Sequence, residues 1–291
     1  MEIVHLPVML KKVVKILTPK PDGIYVDATI GLGGHSEEIL NLIGSEGKLI
    51  GIDRDEEALK ASHKRLHNER VILKKGNFSE MEKLLHQDGI SEVDGIFFDL
   101  GVSMEQLKDP ERGFSFASGK RLDMRMDKNQ AASAWDIVNR YSGKELERIL
   151  REFGEERLSR KISEAIVRTR RKKLIDTCSE LSGIIERLYG RRRRTHPATK
   201  TFQALRIEVN KELDALRTGL DSSLRLLKKG GKMCVISYHS LEDRIVKNFI
   251  ALGSRKGLLR VLTKKPITPD IEELRSNPSS RSAKLRAAER I

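Results

Sequence analysis

Cysteine is nearly absent. The 291-residue chain carries two, Cys178 and Cys234, with no C-x-x-C pair and no histidine-rich spacing around either. Neither a disulfide framework nor a zinc site is supported, so both thiols are read as core or near-surface residues and no metal is expected. Long apolar runs are missing too. Nothing approaches a membrane span, and the opening MEIVHLPVMLKK lacks the charged-then-apolar plan of a secretory leader. A soluble cytoplasmic chain without a membrane partner is expected. Aromatics make up only 4% of residues, and the excess lies in charge: 34% charged residues, a formal net of +14 and a pI near 9.7. Surplus Lys and Arg favour a polyanion, with nucleic acid the first candidate. Membrane headgroups come second, since no amphipathic anchor is visible. The length allows a sizeable core and two domains.

The most informative stretch is YVDATIGLGGHSEEIL, Tyr25 to Leu40. A short apolar strand (Ile24, Tyr25, Val26) ends on Asp27, turns through Gly31, Gly33 and Gly34, and continues as a helix. Such a glycine loop leaves bare main chain for a ligand, and the N–H groups at the helix start favour a polar or anionic group. Two kinds of cofactor use this plan, a dinucleotide and S-adenosylmethionine (SAM). A dinucleotide fingerprint, G-x-G-x-x-G, needs glycine where this chain has Ser36. The run D-x-x-x-G-x-G, Asp27 to Gly33, resembles instead the first motif of Rossmann-like SAM-dependent methyltransferases, with Thr29 at the usual first glycine. An acidic strand end suits the methionyl ammonium and the sulfonium, both cationic, and repels a pyrophosphate.

Further strands repeat the pattern. Leu49, Ile50 and Ile52 lead to Asp53, placed to accept both ribose hydroxyls, while Asp55, Glu56 and Glu57 start the next helix. Val71 to Leu73 lead to Gly76-Asn77-Phe78, where Phe78 lies on the adenine face or in the core. Ile96, Phe97 and Phe98 lead to Asp99. Three carboxylates at successive strand ends form the strongest internal argument for one cofactor cleft.

The sheet pattern is preceded by a lead-in helix over 5–17, where His5 and Pro7 either lie near a ligand or cap the helix, and is interrupted after residue 110. A polar loop, RGFSFASGKRLDMRMD, precedes helices at 132–140, 142–153, 155–171 and 177–189. Ser142 with Glu145 and Thr177 with Glu180 form capping boxes. Residues 111–205 hold 23 Lys and Arg against 13 Asp and Glu, +10 of the chain's +14. Arg168, Arg170, Arg171, Lys172, Lys173 and Arg191 to Arg194 are the dense clusters, read together as a phosphate-binding surface. The predicted architecture is therefore α/β: a discontinuous sheet domain, 1–110 with 206–291, and an inserted all-helical basic domain, 111–205, for RNA recognition.

The chain returns through HPATKTFQALRIEVNKEL, whose stripe Phe202, Leu205, Val209 and Leu213 packs one helix running to Leu227. Gly230 and Gly231 turn it into a strand, Met233 to Ser237. His239, Ser240, Asp243 and Arg244 follow as substrate-side candidates, with Ser240 alternatively a helix cap. Leu258 to Leu262 is a strand candidate, Pro278 to Arg281 a mobile loop, and SAKLRAAERI either an antiparallel strand or a short helix.

With DATIGLGGHS, GIDRD, FFDLGVS, RGFSF, HPATKTFQALRIEVNKEL and ISYHSLEDRIVK in this order, the chain resembles the bacterial 16S rRNA cytosine N4-methyltransferases, the RsmH (formerly MraW) family. The resemblance spans nearly the whole length. It implies SAM as donor and a decoding-region cytosine of 16S rRNA, in the small ribosomal subunit or an assembly intermediate, as acceptor. Carried over by position, SAM contacts fall on Gly33, Gly34, His35, Asp53, Phe78, Asp99 and Gln106. Asp99-Leu100-Gly101-Val102 departs from the D-P-P-Y motif of DNA amino-methyltransferases, so the amino-hydrogen acceptor is sought at Asp99 or among His239, Ser240 and Asp243, with Asp99 and His239 the catalytic candidates. A dehydrogenase, a non-catalytic SAM-binding ribosome assembly factor and a small-molecule methyltransferase are the competing functions.

Overall fold

The computed structural model describes residues 6–189 and 195–291; His5 and Arg191 to Arg194 lie outside the described residues. Two compact units divide the chain, one formed by Met1–Gly101 with Leu213–Ile291, the other by Val102–Glu212. The sequence placed these boundaries at 110/111 and 205/206. The sheet unit closes earlier because Leu100 N–H donates to Ile236 O directly after the fourth strand. The helical unit ends later because the helix Thr199–Asn210 buries Phe202, Leu205 and Val209 in the helical core.

The sheet unit contains β1 (Ile24–Asp27), β2 (Lys48–Asp53), β3 (Val71–Lys75), β4 (Val93–Asp99), β5 (Leu227–Ser237), β6 (Leu259–Val261) and β7 (Lys284–Arg290). Their order is β3-β2-β1-β4-β5-β7-β6. The first five are parallel neighbours, and β7 runs antiparallel between β5 and β6. This is a Rossmann-like α/β sheet, and the undecided tail is its antiparallel strand. Successive residues point to opposite faces. Val26, Ile96, Phe98 and Val235 pack under helices carrying Met81, Leu85, Leu216, Leu220, Val246 and Ile250. Tyr25, Phe97, Cys234 and Ile236 pack on the other face with Val13, Leu17, Ile39 and Leu40. Both faces are covered, which is why the strands read as continuous apolar runs.

Two local expectations change. Gly230 and Gly231 turn the chain inside the fifth strand and not ahead of it, with Gly230 at φ 79°. They lie within β5, whose pairing on β4 jumps from Leu227 opposite Val93 to Lys232 opposite Gly95, an irregularity that takes up the extra residues. The long helix is also two helices, Thr199–Asn210 and Glu212–Leu226, because Lys211 adopts φ 50° between them. Asn210 is engaged there: its side chain accepts from Met126 N–H and donates to Met124 O.

The helical unit is built from Ala134–Arg140, Gly143–Glu152, Ser159–Arg170, Cys178–Tyr189 and Thr199–Asn210 around Leu146, Ile149, Ile162, Ile166, Leu181, Ile185 and Leu205. Both expected capping boxes form, each saturating exposed N–H groups at a helix start. The polar loop before them is ordered by two arginines: the buried Arg112 donates to Arg125 O and Met126 O, and the half-buried Arg125 grips Asp123 through Nε and Nη2. Pro278–Ser282, expected as a mobile loop, forms a 3₁₀ turn with Ser280 buried. Among the described residues, no helix is long and apolar enough to cross a membrane.

Candidate active site

The order of the sheet reverses direction between β1 and β4, and the loops leaving such neighbours open a crevice at the strands' C-terminal ends. Asp27 ends β1 fully buried. Its carboxylate accepts from Thr29 N–H (3.2 Å) and Ser36 Oγ–H (2.8 Å), so the serine that breaks the dinucleotide pattern clamps the strand end to the helix. Asp53 ends β2 and ties the loops together, accepting from Gly31 N–H (3.0 Å) and Asp55 N–H (2.9 Å). Asp99 ends β4. Its N–H donates to Thr29 Oγ1 (2.7 Å), and its Oδ1 accepts from the Tyr238 hydroxyl (2.7 Å) at the end of β5.

The glycine loop crosses from β1 into the helix Gly34–Leu42. Gly33 sits at φ 77°, where a side chain would be strained and would press on Leu66. Gly34 has its open side against Pro7, 2.6 Å from where a Cβ would stand, so the chain's own N-terminal stretch seals that side of the loop. His35 is buried beside Phe97, with ring centroids 4.5 Å apart. Its Nε2 lies 2.8 Å from Val8 O and donates to it, while Nδ1 faces Asp99 Oδ2 at 3.8 Å.

Burial controls the acidity of this edge. Desolvation raises Asp27 to about 6 against the hydrogen bonds from Ser36 and Thr29, with Asp53 adding repulsion. Desolvation likewise raises Asp53. Asp99 goes furthest, to about 7: burial leads, the Tyr238 bond opposes it, and the charges of Asp27 and Glu242 add to it. A crowded group of acids held partly protonated favours a cation and disfavours an anionic pyrophosphate.

The remaining predicted residues divide clearly. Phe78 opens the turn after β3, packs edge-to-face on Phe98 at 5.5 Å and borders the core beside Gly219. Gln106 belongs to the helical unit, buried in the helix Met104–Lys108, where its side-chain oxygen accepts from Ser103 N–H in a capping box. His239 caps the helix Ser240–Arg255, with Nδ1 accepting from Glu242 N–H at 3.4 Å. Its buried Nε2 is 3.2 Å from Glu242 Oε1 but makes no hydrogen bond, so the contact is misaligned. Asp243, a candidate acceptor, is committed elsewhere. Burial raises its pKa, but the bond from Arg286 Nε (2.6 Å) and Lys284 outweigh that and hold it low. Ser240 is the first residue of that helix, with His239 as its cap.

Four residues that bind this edge together escape a motif reading: Thr29, Ser36, Tyr238 and Glu242. Glu242 is buried and accepts from Tyr238 N–H (2.9 Å) and His239 N–H (3.3 Å). Tyr238 does carry a sequence signal. It directly follows an apolar strand, in the kind of position that singled out the aspartates.

The family model of the MraW methylase family matches residues 2–291. The chain belongs to that family. Among its relatives is the "Ribosomal RNA small subunit methyltransferase H" of Caldicellulosiruptor saccharolyticus, 49% identical over 306 residues and covering 99% of both chains. A protein of the same name from Persephonella marina is 49% identical over 292 residues, again covering 99% of both, and one from Fusobacterium nucleatum is 43% identical over 306 residues, covering 99% of this chain and 97% of its own. Of solved structures, one described as an rRNA-methylase from Clostridium thermocellum superposes with a TM-score of 0.51 at 15% identity, covering 99% of this chain and 100% of that one, a likeness of fold. The methylase family model thus spans nearly the whole chain, and the chain is a methyltransferase.

Proposed function

We propose that the chain is a SAM-dependent methyltransferase acting on the exocyclic N4 of a cytosine in the decoding region of 16S ribosomal RNA. The observation that carries the proposal is the acidic strand edge, Asp27, Asp53 and Asp99, inside a chain of the MraW methylase family. The donor set fits SAM: buried carboxylates for a cationic methionine end and sulfonium, Asp53 for ribose hydroxyls, and Phe78 for the adenine face. Gly33, Gly34 and His35 supply the main chain under it, and Gln106 is a further contact that the family resemblance implies. When bound, SAM supplies a methyl group already activated on sulfur.

What the chain must add is alignment, exclusion of water and an acceptor for an amino hydrogen, because the cytosine amino lone pair is delocalised into the ring. Asp99 suits that acceptor role: its carboxylate lies at the mouth and titrates near neutrality, so a hydrogen bond from N4 strengthens as the nitrogen pyramidalises. His239 is assigned to positioning, since its ring is folded back on Glu242. No residue need act as a covalent nucleophile.

The basic insert expected over 111–205, which lies within the helical unit, is assigned to RNA recognition through its exposed cations. The helix end at residues 168–173 is smaller as a phosphate surface than its sequence implies. Arg170 turns inward to donate to Val138 O (2.6 Å) and Tyr141 O, and Lys173 pairs with Glu180 at 2.8 Å. Arg168, Arg171 and Lys172 remain for phosphate. Incubating the protein with labelled SAM and small subunits from a strain lacking it, then identifying the modified nucleotide by mass, tests the proposal. N4-methylcytidine at one decoding-region position is expected; SAM binding without transfer to any ribosomal particle would contradict it.

A further inference from the structure

The groups that face Asp99 come from every element around it. Tyr238 stands at the end of β5, His35 on the helix Gly34–Leu42, Asp27 at the end of β1, and Glu242 on the helix Ser240–Arg255. Two of these are acids and repel a second negative charge. His35 stands farther off, with Nδ1 3.8 Å from Asp99 Oδ2 and Nε2 donating to Val8 O. Thr29 Oγ1 accepts from the Asp99 main chain and does not touch the carboxylate charge. The hydrogen bond to that carboxylate comes from the Tyr238 hydroxyl, 2.7 Å from Oδ1, on a half-buried ring. That phenol is a permanent donor, because burial and the Asp99 charge push its own ionisation far above the ordinary tyrosine value.

We propose that Tyr238 is a positioning residue that keeps Asp99 ionised and oriented, and thereby sets how tightly the strand edge holds a cationic methyl donor at neutral pH. This rests on the SAM reading above. A hydrogen bond to the charged form of a carboxylate favours that form, so removing it moves the titration of Asp99 upward. Tyr238→Phe keeps the ring and deletes the donor, which separates the hydroxyl from the packing.

Calorimetric titration with SAM from pH 6 to 9 tests this on the wild type, Tyr238→Phe and Asp99→Asn. Wild-type affinity should rise with pH and level off above about 8 as Asp99 ionises. In Tyr238→Phe the midpoint should move up by about one unit, which makes binding about fivefold weaker at pH 7 and within about twofold of wild type at pH 9. Proton release, read in buffers of different ionisation enthalpy, should rise at pH 7 from about half a proton per SAM to nearly one in the variant. Asp99→Asn should bind weakly with this pH step gone. An unchanged midpoint in Tyr238→Phe overturns the proposal, as does a loss that is equal at every pH, which would mark a packing role only. Persistence of the step in Asp99→Asn would assign it to another group. Failure of the wild type to bind SAM at any pH would instead remove the cofactor reading, and this inference with it.

Discussion

Each unit turns a group of charges inward, and the two groups serve opposite ends. In the sheet unit Asp27, Asp53 and Asp99 gather at strand ends, with their pKa values raised by desolvation. In the helical unit Arg112, Arg125 and Arg170 turn inward, each spent on carbonyls or on Asp123, and the buried Glu208 is matched by Tyr141 and Lys211. The acids are kept in a costly state, one that a cationic ligand relieves. The arginines are satisfied by the chain itself and fix its loops. A buried charge with matched partners is structural, whereas one held against its solvation is a candidate for chemistry.

The contrast is broken most sharply at Asp99. Asp99→Asn should weaken SAM binding at pH 8 by on the order of 100-fold, from loss of a charged partner. The same variant should raise the unfolding midpoint at pH 8 by several degrees, because it deletes a buried charge that folding disfavours. Paired measurements of affinity and melting decide it, and a fall in both would make Asp99 structural like the arginines. Arg170→Ala is the mirror case. It should cost about 2–3 kcal/mol of stability in denaturant unfolding by stranding two buried carbonyls, with no change in the salt dependence of RNA binding.

Exposed neighbours should behave oppositely to Arg170. Replacing Arg171 and Lys172 together by Ala should leave stability unchanged, weaken RNA binding severalfold and reduce the slope of log affinity against log salt by about two. A filter-binding salt series reads this directly. The smallest effect is the pH profile of wild-type stability. Asp27 at about 6 and Asp99 at about 7 both lie above their ordinary value, so the folded chain keeps protons that the unfolded chain has released. Their contribution is therefore fully present below pH about 4 and is lost as pH rises to about 7, with little change beyond 8. Denaturant midpoints in that window should show the decline, less of it in Asp99→Asn.

Much of this was open to a sequence reading, for physical reasons. Strands buried on both faces give uninterrupted apolar runs, so their ends, and the aspartates on them, are visible without coordinates. Capping boxes at Ser142 and Thr177 are equally local. The role of Tyr238 depends on a contact from β5 to β4 that no short window contains, whereas Glu242 makes a local capping bond that a histidine in place of the usual cap residue obscures. Arg170 was hidden only by its neighbours, for it stands four residues after the buried Ile166 and shares its face, whereas Arg171 follows Val167. The break at Lys211 had no signal, since a lysine at positive φ is not encoded by residue type.

The account turns on the acidic edge being a seat for a sulfonium cofactor. Titrating the wild-type chain at pH 8 with SAM and, separately, with NAD tests that claim most directly. One SAM per chain with no heat from NAD is the predicted result; binding of NAD, or of neither, would contradict it.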